Sequence, residues 1–314
     1  MELVSVIMPA YNAEKYIEQA INCIIRQSYV NWELIICDDG SIDGTREIIE
    51  SFALMDKRIR CYHNENNLGI VATRNKLLAK AKGEFITMLD ADDLCVAERI
   101  SVLRNFLLVN DHVGIVGSGV QFISQNGSLK GERKYPETNS EIQNNLLNEK
   151  FPFCGAGVMI RKEVYLKIGG YRDYFEGKAW DDHDWLFRSS MHFKGANVPE
   201  MLYQYRDNPE SFMRNIGPMD YKKFTIKKIA IALGKQRILT GSDFLEDKDF
   251  EGLKNLEELH EKPFKKDPSL IYRIMAARAK TNSEKIYLLK KAIKKNIFEL
   301  RNYYYFLKMV TNKS

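Results

Sequence analysis

Three carboxylates within four positions follow one apolar stretch of this 314-residue chain. The strand predicted over Phe85 to Leu89 runs directly into Asp90-Ala91-Asp92-Asp93. Carboxylates at the end of a buried strand repel one another and resist the loss of water, so a cation is expected among them. A hard divalent ion such as Mg²⁺ binds one or two carboxylates together with substrate phosphate oxygens. The motif therefore predicts a metal and phosphate site, and the alternative is a solvated turn that caps the next helix.

Two further acidic segments lie at the ends of predicted elements, one after a strand and one at the start of a helix. Asp38-Asp39-Gly40-Ser41 follows the apolar strand predicted over Trp32 to Cys37. Trp180-Asp181-Asp182-His183-Asp184 opens a later helix, where acidic side chains also complement the positive end of the helix dipole. The later segment therefore has two interpretations that remain open, a catalytic acid or base and a helix cap.

The elements around these residues predict a parallel sheet covered by helices. Short apolar strands such as Val4 to Met8 and Trp32 to Cys37 alternate with amphipathic helices. This alternation forms right-handed βαβ units, whose ligands bind at the carboxyl ends of the strands. Tyr11, Asp39 and Asp90-Ala91-Asp92-Asp93 follow strand ends, so we expect them in one crevice. The fingerprints G-x-G-x-x-G and G-x-x-x-x-G-K-[ST] are absent after the first strand, which excludes dehydrogenase and P-loop functions.

Later elements are predicted from the same periodicities. We expect helices over Val96 to Val109 and Arg161 to Ile168, and strands over Val113 to Val120 and Phe153 to Ile160. The stretch from Gln121 to Lys150 shows no regular pattern and predicts no element.

Charge divides the chain into two parts. Residues 1–219 hold 25 basic and 30 acidic residues, whereas residues 220–314 hold 22 and 12. The basic part is predicted to be mostly helical, with breaks at Gly234, Gly241 and Pro263. From residue 271 onward, 11 basic and 2 acidic residues are interleaved with tyrosines. Two interpretations remain open: a helical bundle packed on the catalytic domain, and a surface for an anionic membrane or a partner.

The spacing of the cysteines and the lengths of the apolar runs indicate the cellular compartment of the protein. The five cysteines are scattered without a C-x-x-C pair, which predicts reduced, buried thiols rather than disulfides or a zinc site. No apolar run approaches the roughly 18 residues that span a bilayer, and no signal peptide is recognised. These features favour a cytoplasmic protein.

Taken together, the motifs resemble those of the family 2 glycosyltransferases, which are inverting enzymes of the GT-A fold. The matching segments follow the family's order over about residues 4 to 212. They are Val6-Ile7-Met8-Pro9-Ala10-Tyr11-Asn12, Asp38-Asp39-Gly40-Ser41, Asn67-Leu68-Gly69 with Arg74-Asn75, Asp90-Ala91-Asp92-Asp93, Gly169-Gly170-Tyr171 and Asp181-Asp182-x-Asp184. The resemblance implies an α/β fold with a Rossmann-like, mostly parallel sheet flanked by helices over residues 1–215. A basic, mainly helical region over residues 216–314 follows it.

The same resemblance assigns residues to the nucleotide base of a sugar donor. Tyr11 is expected to stack on the base, with Pro9 shaping the same wall. Asp39 is expected to accept a hydrogen bond from the imide N–H of that base.

Other residues are assigned to the diphosphate and to the reaction. Arg74 is expected to face the pyrophosphate, and Asp90 and Ala91 to contact the nucleotide, Asp90 near its ribose. Asp92 is expected to bind the Mn²⁺ or Mg²⁺ ion that bridges both phosphates. Asp182 is expected to be the general base that deprotonates the acceptor hydroxyl.

Three residues depart from the family pattern. Asp181 stands where the family usually has Glu, Thr73 where it often has Ala, and Asn208 where many members have His. That histidine can help to hold the metal or the diphosphate, so its absence is expected either to weaken metal binding or to shift the role to His183 or His192. Both histidines have a simpler interpretation as local hydrogen-bonding residues.

The implied function is metal-dependent, inverting transfer of a sugar from a uridine-linked donor to a saccharide or lipid-linked acceptor in surface polysaccharide synthesis. One rival is a sugar nucleotidyltransferase, which carries a glycine-rich basic loop where this chain has Pro9-Ala10-Tyr11-Asn12. Another is a catalytically silent nucleotide-sugar binding module, which would need neither Asp92 nor Asp182. We expect a cytoplasmic enzyme, peripheral on the inner face of the membrane if its basic region binds there. The net acidic motif-bearing part opposes nucleic acid binding.

Overall fold

The computed structural model of the chain describes residues 2–148, 150–209, 221–279 and 281–311. The chain divides into two compact units, Met1–Ser211 and Phe212–Ser314. The predicted domain boundary, between residues 215 and 216, lies outside the described residues.

A nine-stranded sheet is the framework of the first unit. Its strands are β1 (Val4–Ala10), β2 (Trp32–Asp38), β3 (Ile59–His63), β4 (Phe85–Met88), β5 (Leu94–Cys95), β6 (Val113–Ile123), β7 (Leu129–Arg133), β8 (Met159–Arg161) and β9 (Lys194–Arg206). Their spatial order is β3-β2-β1-β4-β8-β6-β9-β5, and β7 pairs with β6. The first four strands in that order are mutually parallel, whereas β8 is antiparallel to both of its neighbours.

Helices connect these strands and cover them. They are α1 (Ile17–Ile25), α2 (Thr45–Met55), α3 (Ile70–Lys80), α4 (Arg99–Val109), α5 (Asn139–Leu147), α6 (Lys162–Ile168) and α7 (Asp181–Ser190). All seven residues of β1 and all seven of β2 are buried, as expected for parallel strands covered on both faces. The predicted α/β class is therefore confirmed, and the later antiparallel strands complete the sheet.

Strand order brings three strand ends to one place. β1 lies between β2 and β4, with Ala10 opposite Asp38 and Ile7 opposite Met88. The amide N–H of Leu89, just past β4, donates to the Ile7 carbonyl at 3.1 Å. The segments that follow β1, β2 and β4 therefore emerge side by side at the carboxyl edge of the sheet.

The middle of the first unit differs from the sequence-based expectation. The predicted strand over Phe153 to Ile160 is instead a 3₁₀ turn, Gly155–Gly157, followed by the short β8. The helix predicted from Val96 begins at Arg99. The stretch without a predicted element contains β7 and α5, and α5 begins with a capping box formed by Thr138 and Glu141.

The second unit is helical in its described residues. Its helices are α8 (Lys222–Thr240), α9 (Phe250–Lys266), α10 (Leu270–Arg278), α11 (Asn282–Lys295) and α12 (Leu300–Thr311). Gly241 ends α8 with a left-handed φ of 88°, as predicted. The breaks predicted at Gly234 and Pro263 are wrong, because α8 and α9 continue through them. Among the described helices, none is long and apolar enough to cross a membrane.

Candidate active site

The loops after β1 and β2 are joined by hydrogen bonds. The Asp39 amide N–H donates to the Ala10 carbonyl at 2.8 Å, and the Asn12 amide N–H donates to Ser41 Oγ at 2.9 Å. Asn12 adopts a positive φ of 47°, which turns the chain sharply at the end of β1. The two strand ends therefore form one continuous rim.

Tyr11 and Pro9 lie at different depths of this rim. Pro9 is buried within β1, opposite Cys37 of β2. The Tyr11 side chain is 47% exposed, although it follows a strand that is buried along its whole length. An aromatic ring held open beside a buried strand can stack on a planar ligand without rearranging the sheet. The position of Tyr11 therefore fits its predicted role.

Asp39 is buried and already accepts three hydrogen bonds within the protein. The Asn64 side-chain amide donates to Asp39 Oδ1 at 2.6 Å, and the backbone amides of Leu68 and Gly69 donate at 2.9 Å each. Asp39 thus anchors the turn that leads into α3. A carboxylate has about four lone-pair directions, so one is left for a base N–H. Its role toward the base stays a prediction.

Asp90 and Asp92 are the partly exposed acids of the segment that follows β4. The Asn208 side-chain amide donates to Asp92 Oδ2 at 2.9 Å. Burial raises the pKa of Asp90, the Arg74 guanidinium opposes this, and the Asp92 charge adds to it. Ala91, between the two acids, is buried. The segment therefore presents two neighbouring carboxylates whose repulsion a cation would relieve.

Asp93 has a different position, because it points into the protein. The Tyr203 hydroxyl donates to Asp93 Oδ2 at 2.7 Å, and the Arg206 amide N–H donates to Oδ1 at 2.7 Å. The Arg206 guanidinium is itself buried and donates through Nε to the Asp92 carbonyl at 2.8 Å. Asp93 and Arg206 therefore fasten the acidic segment to β9.

One guanidinium connects two of the acidic segments. Arg74 Nη1 donates to Asp181 Oδ2 at 2.7 Å, and Arg74 Nη2 lies 3.5 Å from Asp90 Oδ1. The Tyr171 ring lies under the same guanidinium, 5.6 Å from its central carbon. Arg74 therefore holds the strand-end acids and the start of α7 together, and a bound diphosphate would meet a cation already shared by carboxylates.

Asp182 is the acid of α7 with the properties of a general base. Asp182 is partly exposed, whereas Asp181 and Asp184 are buried. Burial and then the neighbouring Asp181 charge raise the pKa of Asp182 to about 7, with Arg74 opposing. A carboxylate with a pKa near the working pH accepts a proton effectively. Its Oδ2 lies against the Gly155 backbone, where a Cβ would be 2.3 Å away.

Asp184, in contrast, is buried and contacts two arginine side chains, so its role is structural. Arg188 Nε donates to Asp184 Oδ2 at 3.0 Å, and Arg172 Nη1 lies 3.4 Å from Oδ1. His183 is buried among aromatic rings, with the Trp180 ring centroid at 5.0 Å, and His192 is exposed. The described residues contain no cluster of three or more His, Cys, Asp and Glu suited to a metal.

Helix α3 fixes the segment that carries Asp182. Besides the Arg74 contact, the Asn75 side chain forms reciprocal hydrogen bonds with the Tyr171 backbone, both at 2.8 Å. The Ala72 amide N–H donates to Glu176 Oε2 at 3.0 Å. The chain then enters α7 through Ala179 and Trp180, which both have φ values in the left-handed region. Such a conformation is uncommon outside glycine and is characteristic of functional sites.

The structure therefore brings most predicted site residues to one edge of the first unit. Arg74, Asp90 and Asp182 lie around one charge cluster, Asp92 adjoins it, and Pro9, Tyr11 and Asp39 lie on the neighbouring strand ends. The functions assigned to them stay predictions. Sequence analysis did not identify the supporting residues Gly155, Tyr203 and Arg206, although Arg206 is only two positions before Asn208, which was compared with the family.

Comparison with known proteins identifies the family. The model of glycosyl transferase family 2 matches residues 5–169, more than half of the chain. The chain belongs to this family. It is 35% identical to "Putative glycosyltransferase EpsE" of Bacillus subtilis (strain 168) over 213 residues, which are 67% of this chain and 75% of EpsE.

A second relative of this glycosyltransferase has a more detailed name. It is the "UDP-Glc:alpha-D-GlcNAc-diphosphoundecaprenol beta-1,3-glucosyltransferase WfgD" of Escherichia coli, 37% identical over 157 residues, 50% of this chain and 58% of WfgD. The crystal structure of S. aureus TarS 1-349 in complex with UDP-GlcNAc superposes with a TM-score of 0.62 and 21% identity. That match covers 93% of this chain and 81% of TarS. The predicted GT-A-like fold and the transferase class are thereby confirmed.

The donor set at the strand end fits a hard divalent cation. It consists of the partly exposed Asp90 and Asp92 carboxylates, with the Asn208 amide N–H donating to Asp92, and it offers few protein ligands. Mg²⁺ and similar ions accept such a partial shell, which they complete with water and phosphate oxygens. These residues would hold the ion when a nucleoside diphosphate is bound.

Proposed function

We propose that this glycosyltransferase is a metal-dependent inverting enzyme that moves a sugar from a UDP-sugar to a saccharide or lipid-linked saccharide acceptor in surface polysaccharide synthesis. The observation that carries the proposal is Asp182, a partly exposed carboxylate with its pKa raised to about 7. It stands beside the Arg74 cluster that reaches Asp90. Sugar transfer requires two functions, a group that accepts the proton of the acceptor and an adjacent site that binds the diphosphate.

The reaction follows from this arrangement. Asp182 accepts the proton of the acceptor hydroxyl while its oxygen attacks the anomeric carbon from the face opposite the nucleoside diphosphate. The carbon–oxygen bond to the diphosphate breaks in the same step, so the configuration at carbon is inverted and no covalent enzyme intermediate forms. Asp92, with Asp90 beside it, would hold a divalent cation, which would stabilise the charge on the departing phosphate.

The uridine donor and the lipid-linked acceptor are supported by the relatives. The name of WfgD states a UDP-Glc donor and a diphosphoundecaprenol-linked acceptor, and TarS was crystallised with UDP-GlcNAc. In this chain, the half-exposed Tyr11 above the buried Pro9 provides a stacking surface for a base. Ala91 is small and buried, whereas Asp90 and Asp92 on either side of it are partly exposed.

The test is a panel of nucleotide sugars with Mn²⁺, with Mg²⁺ and with a chelator. We expect UDP and one UDP-sugar to raise the melting temperature more with metal than with chelator, and that sugar to be hydrolysed slowly or transferred. Equal stabilisation with and without metal would refute the metal dependence. A sugar nucleotidyltransferase would instead consume a nucleoside triphosphate and release pyrophosphate, and a silent module would bind without hydrolysis or transfer.

We also propose that the second unit contacts an anionic membrane. The outer face of α12 and the turn before it expose apolar side chains, and its inner face packs through Phe306 and Met309 on Ala276, Leu288 and Leu289. The exposed members include Phe298 (88%), Leu300 (79%), Tyr304 (60%) and Leu307 (59%). Exposed Lys290, Lys294 and Lys295 of α11 precede them. Apolar and aromatic residues flanked by lysines are typical of a helix that lies in an anionic interface.

Vesicle binding tests the membrane proposal. Replacing Phe298 and Leu307 with Glu should reduce binding to phosphatidylglycerol-containing vesicles by about tenfold or more, since burial of each side chain is worth about 2 kcal/mol. Leu54, 88% exposed on α2, provides the matched control, and Leu54→Glu should bind as the parent does. Unchanged binding of the double variant, or equal binding to uncharged phosphatidylcholine, would refute the proposal.

A further inference from the structure

Two cysteines that are 72 positions apart in the chain lie side by side in the fold. Cys23 of α1 and Cys95 of β5 have their Sγ atoms 3.4 Å apart. The Gln27 side-chain amide donates to Cys95 Sγ, also at 3.4 Å, and a second Gln27 hydrogen bond reaches the Val96 carbonyl at 2.7 Å. Gln27 therefore holds the β5 segment against α1. The scattered spacing of the cysteines gave no indication of this pair.

Both sulfurs line one open cavity. The cavity has a volume of about 400 Å³, and its wall includes Asn22, Arg26 and Gln204. Cys23 is partly exposed and Cys95 is 7% exposed, so a small solute can reach the pair. The proposed mechanism uses neither residue.

We propose that Cys23 and Cys95 form a peroxide-sensitive dithiol site that closes to a disulfide. The Cys95 thiolate attacks one oxygen of hydrogen peroxide and breaks the O–O bond, giving a sulfenic acid and, after protonation, water. The Cys23 sulfur then attacks the Cys95 sulfur and displaces the hydroxyl, which leaves as a second water with the Cys23 proton. The two sulfurs together supply two electrons, and one peroxide is reduced to two waters.

The geometry suits this sequence of bonds. The Sγ atoms, 3.4 Å apart in the reduced pair, must approach to about 2.05 Å to form the disulfide. Donation from the Cys23 thiol lowers the pKa of Cys95, burial opposes this, and the Arg99 charge assists. The Gln27 side-chain amide donates to Cys95 Sγ at 3.4 Å, a contact that favours a thiolate at Cys95, and the thiolate is the form that peroxide oxidises.

The disulfide would also act on the donor site, an argument that rests on the proposed function. Arg206 Nε donates to the Asp92 carbonyl at 2.8 Å, and its Nη2 donates to Gln19 Oε1 of α1 at 2.9 Å. The same two elements, α1 and the segment after Asp92, would be joined covalently through Cys23 and Cys95. We expect the oxidised protein to lose part of the stabilisation that UDP and metal provide.

Mass spectrometry tests the site without reference to activity. Folded full-length protein is treated with hydrogen peroxide, quenched with catalase and mapped by peptide analysis. We expect the loss of two hydrogens, a Cys23–Cys95 cross-linked peptide, and recovery of the original mass with dithiothreitol. Cys23→Ser and Cys95→Ser should not lose two hydrogens, whereas Cys61→Ser, which changes a partly exposed cysteine outside the pair, should behave as the parent.

A comparison with unfolded protein guards against random oxidation. The native cross-link should form at least about tenfold faster than any cross-link in urea, because the two sulfurs are already adjacent. Oxygen addition to single cysteines, cross-links between other pairs, or disulfides between chains would overturn the proposal. If the disulfide forms but the UDP-dependent shift in melting temperature is unchanged, the coupling to the donor site is refuted. If UDP does not stabilise even the reduced protein, the proposed function fails instead.

Discussion

The two acidic segments, Asp90-Ala91-Asp92-Asp93 and Asp181-Asp182-His183-Asp184, have similar compositions but lie in different settings. The first follows a buried strand and the second begins a helix. In each, one acid is fixed inside the protein, Asp93 by Tyr203 and Asp184 by Arg188. In each, another acid, Asp92 or Asp182, stays partly exposed.

The two segments differ in the groups that surround the partly exposed acid. Asp92 has a second partly exposed carboxylate, Asp90, two residues away, and the repulsion between the two favours a cation. Asp182 has the Gly155 backbone and a raised pKa, which is a setting for a proton. Carboxylates become ligand, base or structural anchor through their surroundings, since the side chain is the same in all of them.

The largest expected effect is on catalysis by Asp182→Asn. The change keeps the size of the side chain but removes its ability to accept a proton. We expect sugar transfer to fall by about 10²- to 10⁴-fold, measured as kcat with a working acceptor, while UDP and metal binding survive. Asp181→Asn is the matched control, because it changes the adjacent acid. If Asp181→Asn is the more damaging change, the base has been assigned to the wrong residue.

Next in size is the loss of stability expected for Asp184→Asn. Buried Arg188 and partly buried Arg172 would each lose the Asp184 carboxylate, a change that costs about 3–5 kcal/mol. Chemical denaturation measures the free energy of unfolding directly. A variant as stable as the parent would show that Asp184 is not the anchor of α7.

Asp92→Asn should act on ligand binding with little effect on the fold. The whole stabilisation by a free ligand at about a hundred times its Kd is about 2.7 kcal/mol, and the metal-dependent part of the stabilisation by UDP should disappear. Thermal shift with and without Mn²⁺ measures it. Asp93→Asn, in contrast, should lower stability but keep the metal-dependent increment, and the reverse pattern would exchange the two roles.

The smallest effect concerns pH. The pKa of Asp182 is about 7 in the folded protein against an ordinary value of 3.8, so the folded state binds this proton more tightly. The contribution of this group to stability therefore falls as pH rises from about 4 to about 7. Asp182→Asn lacks that loss and should be more stable than the parent at about pH 8, by about 1–3 kcal/mol, but not at about pH 4. Parallel pH profiles would contradict the raised pKa.

The sequence predicted the parallel part of the fold well, since β1, β2 and β3 and the helices between them have clear periodicities. β9 was missed because Pro199 and charged residues interrupt its apolar pattern, although it holds the acidic segment through Tyr203 and Arg206. The turn at Gly155 was mistaken for a strand because its apolar composition does not reveal the approach of Asp182.

Site residues at strand ends were predictable because strand order places those ends together. Their partners were not, since they lie far along the chain: Asn208 is 116 positions from Asp92, and Asp181 is 107 positions from Arg74. Local patterns carry no signal for such pairs. The motif comparison identified the site residues. Only the fold shows which carboxylate each basic side chain contacts.

Helix α3 limits how this enzyme can be recombined with its relatives. Ala72, Arg74 and Asn75 contact Glu176, Asp181 and Tyr171, roughly a hundred positions later. A chimera joined anywhere between the end of α3 and Tyr171 separates all three pairs at once and leaves Arg74 facing foreign side chains. The segments that form this active site must therefore be exchanged together. Replacing the amino-terminal half alone with that of a relative is not expected to transfer donor specificity.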